Sequence, residues 1–212
     1  MKLVVITPEG LDPHEPAVLA ALFAAGLERC HVRKPFATRD ELAAWLRAVP
    51  AEFRVRLVLH QHHDLVAELA LGGRHWRDES GTGVTSVDFP DHGRDARATL
   101  TSRSCHDLVT LRAALGRYDS VFFGPVFPSI TKPGYGPRAD FSSEKISSLL
   151  AGRTASERRT AVIALGGITA ENIPHCCALG FDDVAVLGAL WQNADPVRAF
   201  AQLQLSLARH AA

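Results

Sequence analysis

The sequence predicts one α/β domain over residues 1–212, a (β/α)8 TIM barrel. Short β-branched apolar segments alternate with helical segments about eight times, as a parallel sheet requires. With 212 residues, the chain is long enough for eight such units around one core. Glycines follow the seventh and eighth predicted strands, at Gly166-Gly167 and Gly188, where such barrels bind phosphate. An open doubly wound sheet is the alternative, but it would carry a glycine-rich turn near its first strand, and TPEG (7–10) is not one.

The predicted elements of the first half end or begin at recognisable signals. Gly26 ends the first helix. Thr38 and Glu41 form a capping box at the start of the second helix. Residues 77–94 show no clear periodicity beyond a short strand or turn over 84–87. The predicted strands are 2–7, 27–33, 55–60 and 74–76, and the predicted helices are 13–25, 38–48 and 63–71.

The second half continues the alternation, and one of its loops is distinctive. The strand 120–123 stops at a Gly-Pro pair, where the backbone must turn. The following loop carries Ser129, Thr131 and Lys132, whose hydroxyls and ammonium suit a phosphate or a carboxylate, although an ordinary connection can have this composition. The predicted strands are 99–103, 120–123, 160–165 and 183–187, and the predicted helices are 107–115, 143–150, 170–179 and the segments from 188 to about 207.

Composition and charge argue against several classes of partner. Lys and Arg together number 23, as do Asp and Glu, so no net field attracts nucleic acid or an acidic membrane surface. We expect a cytoplasmic protein, because no charged start precedes a long apolar segment and no apolar run could span a bilayer. The four cysteines lack metal-ligand spacing, and we expect reduced, mostly buried thiols.

Polar residues cluster directly after the predicted strands. In a barrel all the strand carboxyl ends open onto one face, so these residues should become neighbours. Cations and hydroxyls opposite acids suit a diphosphate bridged by magnesium, since the metal takes carboxylate and phosphate oxygens together. The residues are His31, Arg33, Lys34, His60, Gln61, His62, His75, Asp78, Glu79, Ser104, His106, Thr131, Lys132, Gly166, Gly167 and Gly188.

Several of these residues can also be explained without any ligand. The charged pair after the second strand fits a solvated strand end, and the glycine pair fits a tight turn. His75 on a short strand is as readily a packed histidine as a ligand. His60, His62 and His63 suggest zinc, but no cysteine or Glu-x-x-His partner accompanies them.

Six segments, in this order, resemble the thiamine phosphate synthase and thiazole tautomerase superfamily. The resemblance covers nearly all of the chain, and its most specific parts are the segments at the sixth and seventh strands. The last two segments match the phosphate turns of the family. The segments are HVRK (31–34), LVLHQHHDLVAELALGGRHW (57–76), SRSCHDLVTL (102–111), YDSVFFGPVFPSITKPG (118–134), IALGGITAEN (163–172) and GFDDVAVLGAL (180–190).

The resemblance implies a synthase that couples hydroxymethylpyrimidine diphosphate with thiazole phosphate and releases pyrophosphate. It also implies magnesium as the cofactor, small-molecule substrates and assembly into a homo-oligomer. The residues placed at the diphosphate are Arg33, Thr131 and Lys132, those at the pyrimidine are His31 and Ser104, and those at the thiazole phosphate are Gly166, Gly167, Leu187 and Gly188. The predicted catalytic residues are Arg33, Ser104, His106 and Lys132, and the other predicted substrate-binding residues are Lys34, His60, Gln61 and His75.

The predicted metal ligands depart from the family pattern. His60 and Gln61 stand where the family has an asparagine and a metal-binding aspartate. The second metal-binding aspartate of the family falls near Ser80. Asp78 and Glu79 are therefore the residues predicted to hold magnesium.

Two further departures affect the choice of function. Pro35 stands at a lysine of the family, and Lys34 is expected to supply that charge. The tautomerase uses a histidine in the loop after the sixth strand, where this chain has Pro125. The synthase is therefore the predicted function, with a tautomerase-like isomerase or a non-catalytic phosphate-binding relative as alternatives. An isomerase would need its proton shuttle from His31, His60 or His106.

Overall fold

The fold is a closed barrel of eight parallel strands. The structure is a computed structural model that describes residues 1–77, 99–132, 134–138 and 142–210. The strands are β1 (Leu3–Ile6), β2 (Arg29–Val32), β3 (Leu57–Leu59), β4 (Gly73–Trp76), β5 (Leu100–Cys105), β6 (Ser120–Phe123), β7 (Ala161–Leu165) and β8 (Asp183–Val186). They pair in sequence order and the barrel closes between β8 and β1, so the predicted fold class is confirmed.

Helices follow the strands around the barrel, and several begin or end at the predicted signals. Thr38 and Glu41 form both hydrogen bonds of the capping box. Gly26 follows the first helix as predicted, with φ of 102°, and Gly180 follows the seventh helix in the same way, with φ of 89°, a backbone that favours glycine. The helices in the described residues are α1 (Glu15–Ala24), α2 (Arg39–Ala48), α3 (Ala51–Arg54), α4 (Leu65–Glu68), α5 (Leu108–Ala114), α6 (Ser143–Ala151), α7 (Ile173–Leu179), α8 (Gly188–Trp191) and α9 (Pro196–His210), with a 3-10 turn at Glu157–Arg159.

Two helices differ from the prediction for local reasons. The helix predicted over 63–71 is only α4, because His62 and Ala70 on either side have φ of 52°, which a right-handed helix cannot include. The four-residue α3 follows Pro50 and is too short for periodicity to indicate it. The segment 84–87 lies outside the described residues.

The barrel interior is apolar on one side and polar on the other. The main hydrophobic core lies between the strands and the helices. Inside the barrel, a smaller apolar cluster comes from β1, β6, β7 and β8, namely Val4, Ile6, Phe122, Ile163 and Ala185. Buried polar side chains on the barrel strands are His31 of β2, His75 of β4, Ser102 of β5 and Ser120 of β6. His31 and His75, two of the predicted histidines, therefore belong to the polar side of the interior.

Most of the thiols are buried, as expected from composition. The four cysteines form no disulfide bond with one another, and Cys30, Cys105 and Cys176 are buried. Within the described residues, no helix combines the length and the apolar character needed to cross a membrane.

Candidate active site

Three histidines from neighbouring strands, His31, His60 and His75, meet in the polar half of the interior, and we call them the histidine trio. His31 lies on β2, His60 directly follows β3, and His75 lies on β4. The ring centroids are 4.0 Å apart for His60 and His75 and 5.4 Å apart for the other two pairs. Nδ1 of His31 lies 3.2 Å from Nε2 of His60. Phe122 packs edge-on against the trio, 4.5 Å from the His31 ring and 5.1 Å from the His75 ring.

Burial keeps the histidine trio uncharged. Desolvation is the main reason that the pKa of His75 falls to about 3 and that the pKa values of His31 and His60 lie well below the ordinary value. Neighbouring histidines add to the lowering, and Arg33 and Arg77 act on His60 and His75 in the same direction. At neutral pH each ring therefore has one N–H donor and one lone pair.

Two serines on β5 hold the His75 ring, whereas one nitrogen of His31 has no partner. Nδ1 of His75 lies 2.9 Å from Oγ of Ser102, and Nε2 lies 2.8 Å from Oγ of Ser104. Nε2 of His31 is buried and has no hydrogen-bond partner among the described residues. Because an unpaired buried polar atom is costly, this nitrogen marks a position where a ligand can bond.

Two cations from distant parts of the sequence share one carboxylate at the mouth of the barrel. Arg33 follows β2, and Lys132 lies in the loop after β6. Nη1 of Arg33 is 2.6 Å from Oε1 of Glu9, and Nζ of Lys132 is 3.3 Å from the same oxygen. The hydrogen bond from Arg33 is the main cause of a lowered pKa at Glu9, and Lys132 contributes. The structure therefore brings Arg33 and Lys132 together around one anionic oxygen.

Lys34 lies apart from these cations. Its side chain is fully buried, and Nζ donates to the carbonyl oxygens of Pro8, at 2.9 Å, and Gly10, at 2.6 Å, and to the Glu15 carboxylate. Burial raises the pKa of Glu15 to about 7, although the hydrogen bond and charge of Lys34 limit the rise. In this geometry Lys34 does not supply the charge of the family's lysine at the mouth. It fixes the segment after β1 that carries Glu9.

The loop after β6 lies against the glycine turn after β7. The N–H of Val126 donates to the carbonyl oxygen of Leu165 at 2.8 Å. Gly167 has φ of 64°, and a Cβ there would lie 2.2 Å from the carbonyl oxygen of Pro128. Only glycine allows this backbone and this close approach, so the loop and the turn form one packed unit.

The same loop reaches the turn after β8. A Cβ on Gly188 would lie 2.8 Å from Cγ2 of Thr131. The hydroxyl of Ser129 accepts from the N–H of Lys132 at 3.0 Å, which shapes the tip of the loop. Leu187 packs against the apolar cluster inside the barrel. The loop after β6, which carries Thr131, therefore contacts both predicted phosphate turns.

His106 and Gln61, two other predicted site residues, make hydrogen bonds away from the histidine trio. His106 is exposed, its Nδ1 donates to the carbonyl oxygen of Gly124 at 2.9 Å, and it lines a cavity of about 160 Å³ between α5 and α6. α5 is capped by Asp107, so the chain turns away from the barrel interior directly after His106. The Gln61 amide donates to the carbonyl oxygen of Lys34.

No sequence motif pointed to Glu9 or Ser102. Only their positions relative to the strands could have identified them. Glu9 follows β1, and residues after the strands of a barrel reach its mouth. Ser102 precedes Ser104 by two residues on β5, and this spacing puts both side chains on one face of a strand.

The described residues do not form the predicted magnesium site. Asp78 and Glu79 lie outside them. In the part of the chain that the structure describes, the histidine trio is the one cluster of at least three metal-ligating side chains. Magnesium prefers oxygen ligands, so imidazoles do not fit it, and the Glu9 carboxylate is already paired with two cations.

His62 and His63 do not join His60 in a zinc site. Nε2 of His62 lies 3.2 Å from the carbonyl oxygen of Ala37. Nε2 of His63 lies 3.1 Å from the carbonyl oxygens of both Leu59 and His75. The partner histidines of His60 come from other strands.

Comparisons with known proteins identify the family. A family model described as thiamine monophosphate synthase matches residues 3–190. A putative thiamine-phosphate synthase of Geobacter sulfurreducens is 30% identical over 184 residues, which cover 85% of this chain and 81% of the relative. A thiamine-phosphate synthase of Methylobacillus flagellatus is 31% identical over 202 residues, covering 91% of this chain and 88% of the relative. A crystal structure of a thiamine phosphate pyrophosphorylase from Bacteroides thetaiotaomicron is 26% identical, with a TM-score of 0.76 and 98% of each chain covered. This chain belongs to the thiamine monophosphate synthase family.

Proposed function

We propose that this chain is a transferase that couples hydroxymethylpyrimidine diphosphate with thiazole phosphate to give thiamine phosphate and pyrophosphate. Family membership supports the reaction. The observation that carries it in this molecule is the meeting of Arg33 and Lys132 on one oxygen of Glu9. A leaving diphosphate is an anion that needs such a pair of cations.

The reaction needs no redox step. The bond between the pyrimidine methylene carbon and the diphosphate oxygen breaks, and its electron pair leaves with the diphosphate. The lone pair of the thiazole nitrogen then forms the new bond to the methylene carbon. The protein mainly has to orient the two rings and stabilise the charge that develops on the leaving group.

The cation pair fits the diphosphate end of the first substrate. Oε1 of Glu9 shows that an anionic oxygen can lie within 2.6 Å of Arg33 Nη1 and 3.3 Å of Lys132 Nζ at once. A diphosphate offers more oxygens and more charge than one carboxylate, so it can displace Glu9 from both cations. Hydrogen bonds from charged donors are among the stronger polar contacts, which suits a group that gains negative charge as it leaves.

The histidine trio fits the pyrimidine end. Neutral imidazoles offer donors, lone pairs and flat ring faces to an aromatic heterocycle. They also carry no positive charge that would oppose the cation formed at the pyrimidine methylene. Ser104 bonds His75 at 2.8 Å, and Arg33, directly after β2, is two residues from His31, so both side chains lie on one face of an extended chain. This spacing supports a substrate whose ring lies at His31 and whose diphosphate lies at Arg33.

The glycine turns fit the thiazole phosphate. Gly167 and Gly188 are packed against the loop that carries Thr131 and Lys132, so a phosphate at these turns would lie next to the diphosphate loop. Turns of this kind can present backbone N–H groups to an anion. The arrangement supports two substrates held side by side.

Replacement of Lys132 tests this function. We expect Lys132→Ala to abolish thiamine phosphate formation while the protein stays folded, because the side chain is 63% exposed and contributes little to packing. Thiamine phosphate and pyrophosphate are measured in one assay mixture, and circular dichroism checks the fold. The matched control is Lys2→Ala, which removes an ion pair at the opposite end of the barrel, before β1. Unchanged turnover in Lys132→Ala would disprove the role of this loop.

The same assay separates the alternatives. Rearrangement of a thiazole substrate without consumption of the pyrimidine diphosphate would indicate the tautomerase-like isomerase. Binding of thiazole phosphate without any product would indicate a non-catalytic relative. Magnesium held by Asp78 and Glu79, a cytoplasmic location and a homo-oligomeric state stay predictions from the sequence.

A further inference from the structure

The histidine trio has the spacing of a metal site as well as that of a hydrogen-bonded cluster. One nitrogen from each ring lies within 4.8 Å of the other two. The closest pair, Nδ1 of His31 and Nε2 of His60, is 3.2 Å apart. Two nitrogens bound to one tetrahedral zinc at its usual bond length are about 3.3 Å apart. Two of the three ligand positions are therefore already in place, and a shift of the His75 ring by about 1.5 Å or less would complete the set.

The surroundings of the rings also suit metal ligands. A ligating histidine usually donates its other ring N–H to a supporting acceptor. Ser102 Oγ is such an acceptor for Nδ1 of His75, which leaves Nε2 to turn from the Ser104 hydroxyl to a metal. Nε2 of His31 is buried and unpartnered among the described residues, so no protein acceptor fixes a proton there. His31 can thus present a lone pair from either nitrogen.

We propose that His31, His60 and His75 form a binding site for one nitrogen-preferring divalent metal ion, Zn²⁺ or Co²⁺ rather than Mg²⁺. Imidazole suits zinc and its first-row neighbours, whereas magnesium requires oxygen ligands. Three protein ligands leave a fourth position for water or an anion, as in open zinc sites. The site is distinct from the magnesium site predicted at Asp78 and Glu79, and because it uses the rings proposed to hold the pyrimidine, the metal ion and that substrate would exclude each other.

The test is a titration of the untagged, chelator-treated full chain with Co²⁺ in the absence of substrates. We expect one equivalent to produce the intense visible absorption of four-coordinate Co²⁺, and Zn²⁺ to displace it. Zn²⁺ should also raise the melting temperature, because a ligand that binds only the folded state stabilises it. No visible bands at one equivalent would overturn the proposal. Because no substrate is present, the result does not depend on the proposed transferase activity.

Matched variants locate the site. His60→Asn should weaken Co²⁺ binding by at least about 10- to 100-fold, the range seen even for the loss of a supporting contact to a ligand. His62→Asn is the control, because it is the same change two residues away and asparagine tolerates the positive φ of that position. His31→Gln is a second ligand variant if His60→Asn does not fold, as judged by circular dichroism. Equal Co²⁺ affinity in the folded ligand variant and in His62→Asn would also overturn the proposal.

Discussion

The carboxylate at the mouth predicts that Glu9→Gln tightens the binding of pyrophosphate. In the structure, Oε1 of Glu9 occupies the position between Arg33 and Lys132 that the proposed diphosphate must take. An incoming anion therefore has to break both ion pairs before it can bind. Glutamine keeps the shape of the side chain but removes its charge, so the two cations become available at a lower cost.

The magnitude follows from the exposure of the three side chains. Glu9 is 33% exposed, Arg33 31% and Lys132 63%, so solvent screens both pairs and each is worth about 0.5–1 kcal/mol. Breaking both costs about 1–2 kcal/mol in the native protein. Because about 1.4 kcal/mol corresponds to a tenfold change in affinity, the Kd for pyrophosphate should fall about 5- to 30-fold in Glu9→Gln.

Isothermal titration calorimetry with pyrophosphate measures this change. Glu28→Gln is the matched control, since Glu28 pairs with Lys2 at 2.6 Å but lies before β2, at the other end of the barrel. The gain in Glu9→Gln should shrink at high salt, which screens partly exposed charges. An unchanged or weaker affinity in Glu9→Gln would show that Glu9 does not compete with the anion and would refute the reasoning.

Two further predictions concern the residues around the mouth. Lys34→Met should lower the free energy of unfolding in urea by about 3 kcal/mol, because Glu15, 2% exposed, loses its buried cation. The double variant Lys34→Met/Glu15→Leu should recover most of this loss. A Lys34→Met protein as stable as the native protein would contradict the prediction. Gly188→Asp should abolish calorimetric binding of thiazole phosphate, because a carboxylate would face the phosphate. Gly188→Ala, whose Cβ would lie 2.8 Å from Thr131 Cγ2, should weaken binding less, and equal effects of the two changes would assign the loss to packing rather than to charge.

The barrel could be predicted because its signals are local. The bounds of β6 agree with the apolar run 120–123, and the capping box at Thr38 starts α2 as predicted. Gly166-Gly167 and Gly188 lie at the ends of β7 and β8, as their sequence positions indicate. Each of these features depends on a few consecutive residues, so tertiary context changes it little.

The partners of the charged residues after β2 could not be predicted from composition alone. In an extended chain, successive side chains point to opposite faces. Arg33 lies on the same face as His31 and reaches the mouth, whereas Lys34, one residue later, points towards α1 and is buried against Glu15. Adjacent cations therefore have different roles. Glu9 was also beyond local signals, because its importance depends on Lys132, which is distant in sequence and close only in the folded barrel.

The division of charge at the mouth explains how a histidine can stand where the family has an asparagine. His60 stands at the asparagine of the family pattern, and the His31 ring lies beside it. An imidazolium there would repel the cation of the proposed reaction, but burial lowers the pKa of both rings, so they remain neutral like an amide. The positive charge stays on Arg33 and Lys132, which keep contact with water and lie where we propose that the leaving diphosphate binds. The proposed chemistry needs neutral polar contacts at the ring and fixed charge at the diphosphate, and this chain meets both needs with a different set of side chains.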